Sequence, residues 1–198
     1  MKFFKNFLTH FVLLISLLIC ESRIFSKCFI TEPKCPNKNV SFYFYTRNTQ
    51  DKPSILNIGD IKTILNAKVS ENRPLVMLIH GYTGDKDYAP NKQIRPAYFL
   101  KNDFNIISVD YSNLAEKNCY FWAVKNLPTV ANCSSQLLNF LIDANIFKLE
   151  DIHVIGFSLG NVLTKVDNLR LERLILICAK FTFFHCTSTL TLYNFIRA

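Results

Sequence analysis

Apolar and polar residues are mixed along most of the chain, but at 75–79 the apolar residues run unbroken for five positions, and 106–109 and 152–155 are similar runs interrupted only by Ser108 and His153. A strand with one face in water alternates, whereas an unbroken run needs cover on both faces, as a parallel strand between helices has. Between these runs the spacing becomes helical. Residues 91–102 predict one helix. Residues 134–147 predict another, with serines at its start suited to capping and apolar positions at Leu137, Leu138, Leu141, Ile142 and Ile146. The order strand, helix, strand, helix, strand predicts an α/β fold with a mostly parallel sheet covered by helices, whose ligands bind beyond the carboxyl ends of the strands. Upstream, residues 40–46 mix aromatics with a β-branched residue and read as an early edge strand, followed by a polar turn at 48–53. No internal repeat or low-complexity linker interrupts the pattern.

The first residues follow another rule. Lys2 and Lys5 precede a stretch at 7–20 that is apolar apart from Thr9, His10 and Ser16, and Glu21 ends it. A spanning helix needs about twenty apolar residues, so residues 1–22 read as a secretory signal peptide, with an uncleaved membrane anchor as the other possibility. The remainder divides into a cysteine-bearing segment at 23–37, a domain at 38–180 and an apolar tail at 181–198. In an oxidising compartment Cys28, Cys35, Cys119, Cys133, Cys178 and Cys186 are expected to form disulfides. Short loops favour Cys28 with Cys35 and Cys119 with Cys133, leaving the last two open. Two glycosylation sequons, Asn39-Val40-Ser41 and Asn132-Cys133-Ser134, suit the same route.

Composition narrows the class without naming a function. At 198 residues, 49% hydrophobic and 19% charged, the chain has room for one domain with a tail, or one larger incomplete domain, and it can bury a core. Its net charge is +8, yet no run of five Lys or Arg occurs and basic residues do not interleave with aromatics on one face, so nucleic acid is not an expected partner.

Candidate chemistry lies at the strand ends. Gly156-Phe157-Ser158-Leu159-Gly160 directly follows the run at 152–155, the context of a G-x-S-x-G nucleophile elbow. There a tight turn lifts the serine hydroxyl above the sheet, and flanking glycines let backbone pass close to it. His80-Gly81-Tyr82 follows the run at 75–79, where such a site carries its oxyanion loop. The backbone N–H groups of Tyr82 and Leu159 are then the expected oxyanion donors, with His80 a packing and hydrogen-bonding residue of the loop.

These motifs, in order, carry a resemblance. The stretch from Val40-Ser41-Phe42-Tyr43-Phe44-Tyr45-Thr46-Arg47, through Pro74-Leu75-Val76-Met77-Leu78-Ile79-His80-Gly81-Tyr82 and Val109-Asp110-Tyr111, to His153-Val154-Ile155-Gly156-Phe157-Ser158-Leu159-Gly160 resembles the pancreatic lipase family. It is most similar to the family's secreted arthropod and phospholipase A1-like members, over residues 38–162. The resemblance implies an α/β-hydrolase fold and extracellular hydrolysis of acylglycerol or phospholipid esters without a metal or other cofactor. It also implies Ser158 as nucleophile, transient contact with a lipid–water interface, a local Cys119–Cys133 disulfide and a structural role for His153.

Beyond Gly160 the chain departs from that pattern. The family's helix behind the nucleophile opens with small residues, and here Asn161-Val162-Leu163-Thr164-Lys165 stands instead. Residues 171–178 suit the next strand, but Cys178 occupies the register of the triad acid. Asp167 and Glu172 are the only acids nearby, and His185, in the apolar tail, is the only later histidine. Serine is a poor nucleophile until a positioned base takes its proton. The sequence therefore predicts a lipase-type chain with an incomplete triad and an incomplete C-terminal part, the alternative being a non-catalytic, yolk-like lipid-binding relative.

Overall fold

The computed structural model describes residues 10–11, 28–163 and 174–177. The three apolar runs form the middle of a six-stranded sheet. Its strands are β1 (Ser41–Tyr45), β2 (Ser54–Leu56), β3 (Leu75–Ile79), β4 (Asn105–Asp110), β5 (Ile152–Phe157) and β6 (Leu174–Ile177). Their spatial order is β2-β1-β4-β3-β5-β6. Strands β4, β3, β5 and β6 are parallel, while β1 runs antiparallel to both β4 and β2. The expected mostly parallel sheet is thus present. The expected edge position of the first strand is not, because the short strand β2 pairs along its outer side.

Every residue of β3 is buried, and its side chains divide between two cores. Leu75, Met77 and Ile79 pack with Phe44, Val109 and Leu138 on one face, whereas Val76 and Leu78 pack with Ile94, Tyr98 and Ile106 on the other. Each core has its helix. After the one-turn helix α1 (Ile61–Leu65), α2 (Asn91–Lys101) covers the second face and α3 (Tyr120–Asp143) the first. A side-chain amide also joins the starts of two strands: Asn105 donates to the carbonyls of Ser70 and Arg73 at 2.9 and 3.2 Å, and its Oδ1 accepts the Ser70 N–H at 2.9 Å.

Helix α3 corrects the second expected helix, which began at Ser134. The true helix starts fourteen residues earlier, and Ser134 and Ser135 are buried in its middle instead of capping it. Pro128 lies inside this helix without breaking it. It removes only the hydrogen bond to the Val124 carbonyl, and both residues sit on the exposed side of the helix, where water can serve that carbonyl.

The same helix overturns the expected disulfides. Cys119 pairs with Cys28 and Cys133 with Cys35, each with a Cα–Cα separation of 5.3 Å. Fourteen helical positions rise about 21 Å, so Cys119 and Cys133 cannot reach each other across the roughly 4.4–6.8 Å that a disulfide allows. Seven extended residues reach about 23 Å, so residues 28–35 lie as a strap along α3, bolted near both ends. Asn126 fastens the middle: its Oδ1 accepts the Thr31 N–H at 2.8 Å and its Nδ2 donates to the Phe29 carbonyl at 2.9 Å. Positions 119, 126 and 133 are seven apart, two turns each, and so share one helix face.

The apolar tail, Cys178 and Cys186 lie outside the described residues, as does the predicted signal segment apart from residues 10–11.

Candidate functional site

The turn after β5 holds Ser158 at φ +52°, left-handed backbone that costs a residue with a side chain about 1–2 kcal/mol. Tertiary packing holds it there. The Ser158 carbonyl accepts the Asn161 N–H at 3.0 Å, and helix α4 (Gly160–Leu163) begins at once. Gly160 packs so closely that an added Cβ would stand 2.6 Å from the Ile79 carbonyl oxygen. Gly156 is equally tight against Gly160, at 2.5 Å from its oxygen. Both contacts are to backbone, which cannot rotate away. Gly160→Ala is therefore expected to destabilise the fold by about 1–3 kcal/mol, read as a lower denaturant midpoint, while alanine at the open turn residue Gly59 meets nothing within 4 Å and costs only its positive-φ strain.

The loop after β3 comes to the same place. A Cβ on Gly81 would stand 2.9 Å from the Ser158 Cβ, so glycine there lets the loop backbone rest directly on the serine. Thr83 fixes the far side of the loop by donating its N–H to the Ala115 carbonyl at 3.0 Å. Tyr82 meets Tyr120 at the start of α3 edge-on, with ring centroids 5.1 Å apart. Because Gly81 touches Ser158, the N–H groups that follow each of them, on Tyr82 and Leu159, belong to adjoining turns. Neither donates a hydrogen bond to another described residue.

His80 anchors this loop from beneath. Its ring is fully buried and stacks on Tyr111, with centroids 4.0 Å apart and planes 7° from parallel. The Tyr111 N–H donates to Nε2 at 3.1 Å, and the Tyr111 hydroxyl donates to the His80 carbonyl at 2.5 Å. Because Nε2 accepts, the proton resides on Nδ1, which donates to the Gly81 carbonyl at 2.8 Å. Both nitrogens are committed and the ring is neutral. Asp110, 3.8 Å from Nε2, directs one oxygen to the Ser112 N–H at 3.0 Å.

Burial lowers the His80 pKa below its ordinary 6.5, outweighing the bond to Gly81 and the charges of Asp110 and Asp85. In the unfolded chain this histidine protonates as pH falls through about 6.5. The folded state resists, so its contribution is fully present above that pH and is lost as pH drops toward the folded pKa. Imidazole ¹⁵N spectra should show the Nδ1–H form persisting below pH ~6.5; an imidazolium signal there would overturn the assignment.

The structure brings together the sequence-predicted Ser158, Leu159 and Tyr82, and gives His80 its packing role. His153 lies inside β5, opposite Val76 and five residues before the turn. Strand β6 ends at Ile177, opposite Phe157, while Asp167, Glu172, Cys178 and His185 lie outside the described residues. The sequence reading passed over the roles of Asp110 and Tyr111. The signal for them was the turn-forming Asp110-Tyr111-Ser112 after a buried strand.

Residues 22–170 match the family model described as Lipase. Pancreatic lipase-related protein 2 of Cavia porcellus is 29% identical over 129 residues, 65% of this chain and 30% of that protein. Phospholipase A1 of Vespa velutina is 29% identical over 140 residues, 65% of this chain and 46% of that protein. The chain thus spans less than half the length of these relatives. Among solved structures, MGS-M1, an alpha/beta hydrolase enzyme from a Medee basin deep-sea metagenome library, is similar at 17% identity and a TM-score of 0.39, covering 75% of this chain and 63% of that one.

Proposed function

The chain belongs to the lipase family, and from that premise we propose that it is a secreted carboxylic ester hydrolase of acylglycerol or phospholipid substrates, with Ser158 as nucleophile. The observation that carries this reading is the contact of Gly81 with Ser158, because it sets an oxyanion loop against a serine elbow. Attack of Oγ on an ester carbonyl places negative charge on the carbonyl oxygen. The N–H groups of Tyr82 and Leu159 receive it, each donor contributing about 3–4 kcal/mol at the transition state in comparable enzymes. A closed metal site is not needed for this chemistry, and among the described residues no cluster of His, Cys, Asp or Glu could hold a metal ion.

The base must come from elsewhere. His80 has both nitrogens engaged, and His153 sits within a strand on the approach to the turn. The two disulfides support the secretory part of the reading, since such bonds persist in oxidising compartments. Fluorophosphonate treatment of the chain joined to the Asp- and His-bearing region of a lipase relative, followed by peptide mapping, tests the nucleophile, with an adduct expected on Ser158. Folded secreted protein that takes up no adduct but binds lipid would favour the non-catalytic lipid-binding reading.

A further inference from the structure

We infer that Asn132, and not Asn39, carries an N-linked glycan in the folded protein. The two sequons are equivalent in sequence, but the fold treats them differently. Asn132 is exposed on the outer side of α3, and its Oδ1 accepts from Gln136 Nε2 at 3.2 Å, which leaves the amide nitrogen, the atom that takes the sugar, outside that bond. Asn39 is half-buried between the strap and β1. Its Nδ2 donates to Thr31 Oγ1 at 3.2 Å and its N–H to Asn37 Oδ1 at 3.0 Å, within the polar network that seats the strap. A sugar on Asn39 would have to leave through that packed junction; a sugar on Asn132 projects into solvent.

A second observation points to the same site. Ser134, two residues after Asn132, is 4% exposed, and its hydroxyl is buried without a hydrogen-bond partner. An orphaned buried hydroxyl is a net cost to the fold, and alanine would fill this helix position without that cost. The hydroxyl therefore does nothing for the folded helix. It does complete the sequon, whose recognition requires a hydroxyl two residues after the asparagine. Because Ser134 is buried and Cys133 is tied to Cys35, attachment has to precede both helix docking and closure of that disulfide.

This inference rests on the secretory reading, and its test separates the two. The full chain is expressed in eukaryotic cells with its own N-terminus and, in parallel, behind a substituted leader that forces entry. The expected result is one endoglycosidase-sensitive shift, abolished by Asn132→Gln and kept by Asn39→Gln. Protein that enters only behind the substituted leader and still carries the Asn132 glycan would refute secretion by its own N-terminus and leave the glycan assignment standing. Entry without a glycan, or a shift removed by Asn39→Gln, would overturn the assignment. Ser134→Ala should lose the glycan, and when the unglycosylated proteins are compared its Tm should equal or exceed that of the parent. A clear fall in Tm would show that the hydroxyl supports the helix and would remove the argument.

Discussion

Ser158→Ala is expected to abolish ester turnover while leaving the fold intact. The substitution removes one oxygen from a half-exposed turn and disturbs none of the glycine contacts that shape it. Loss of a nucleophile held in an oxyanion site typically costs about 10⁴-fold or more in rate. The starting rate of this chain is itself expected to be low, because His80, the histidine of the loop beside the serine, has both ring nitrogens engaged and cannot activate it. A version joined to the Asp- and His-bearing region of a lipase relative should gain ester hydrolysis that disappears with Ser158→Ala. Assays with p-nitrophenyl butyrate on the four proteins check both statements. Strong turnover by the unextended parent would show that a base acts from a residue not assigned here, and turnover that survives Ser158→Ala in the extended form would remove Ser158 from the mechanism.

Replacing the four cysteines of the two disulfides that hold the strap by serine is expected to cost most of the stability of the domain. The bonds close loops of 91 and 98 residues, and in the chain-entropy account a loop of about 100 residues is worth about 4.7 kcal/mol. The second crosslink adds less than the first because it closes a shorter additional loop. Even one such term rivals the roughly 5–15 kcal/mol that holds a typical domain together. Single-pair variants, Cys28→Ser with Cys119→Ser and Cys35→Ser with Cys133→Ser, should each lower the denaturant midpoint substantially. The pairing itself is read by nonreducing peptide mapping, where a Cys28–Cys35 or Cys119–Cys133 peptide would contradict the structure.

The parallel strands were legible in the sequence because burial on both faces leaves a run that is apolar at nearly every position, broken only by Ser108 in β4 and His153 in β5, and no other short element writes itself so plainly. The elbow was legible for a related reason: glycine at 156 and 160 is demanded by backbone passing within van der Waals distance. Helix α3 was half legible. Its apolar positions continue upstream through Ala123, Leu127 and Val130, but Pro128 and the paired serines imitate a boundary, and only the solvent exposure of Val124 and Pro128 shows why the helix passes through. Strand β2 was missed because three residues carry no period. The disulfides were misassigned because loop length measures closeness along the chain, whereas a helix between two cysteines holds them apart. The support of His80 by Tyr111 joins residues 31 positions apart, and no local pattern records it.

The strap also bears on how the protein is made. Cys28 and Cys35 leave the ribosome while their partners, 91 and 98 residues further on, are still to be synthesised. During that interval the two thiols have each other within reach on an unstructured chain, so the local pair that the finished fold excludes is the expected early oxidised product. Helix α3 then has to form, present Cys119 and Cys133 on one face, and receive the strap by thiol–disulfide exchange. The strap, made early, is therefore expected to be among the last parts fastened, and the yield of native molecules is expected to rise with disulfide isomerase in the producing cell.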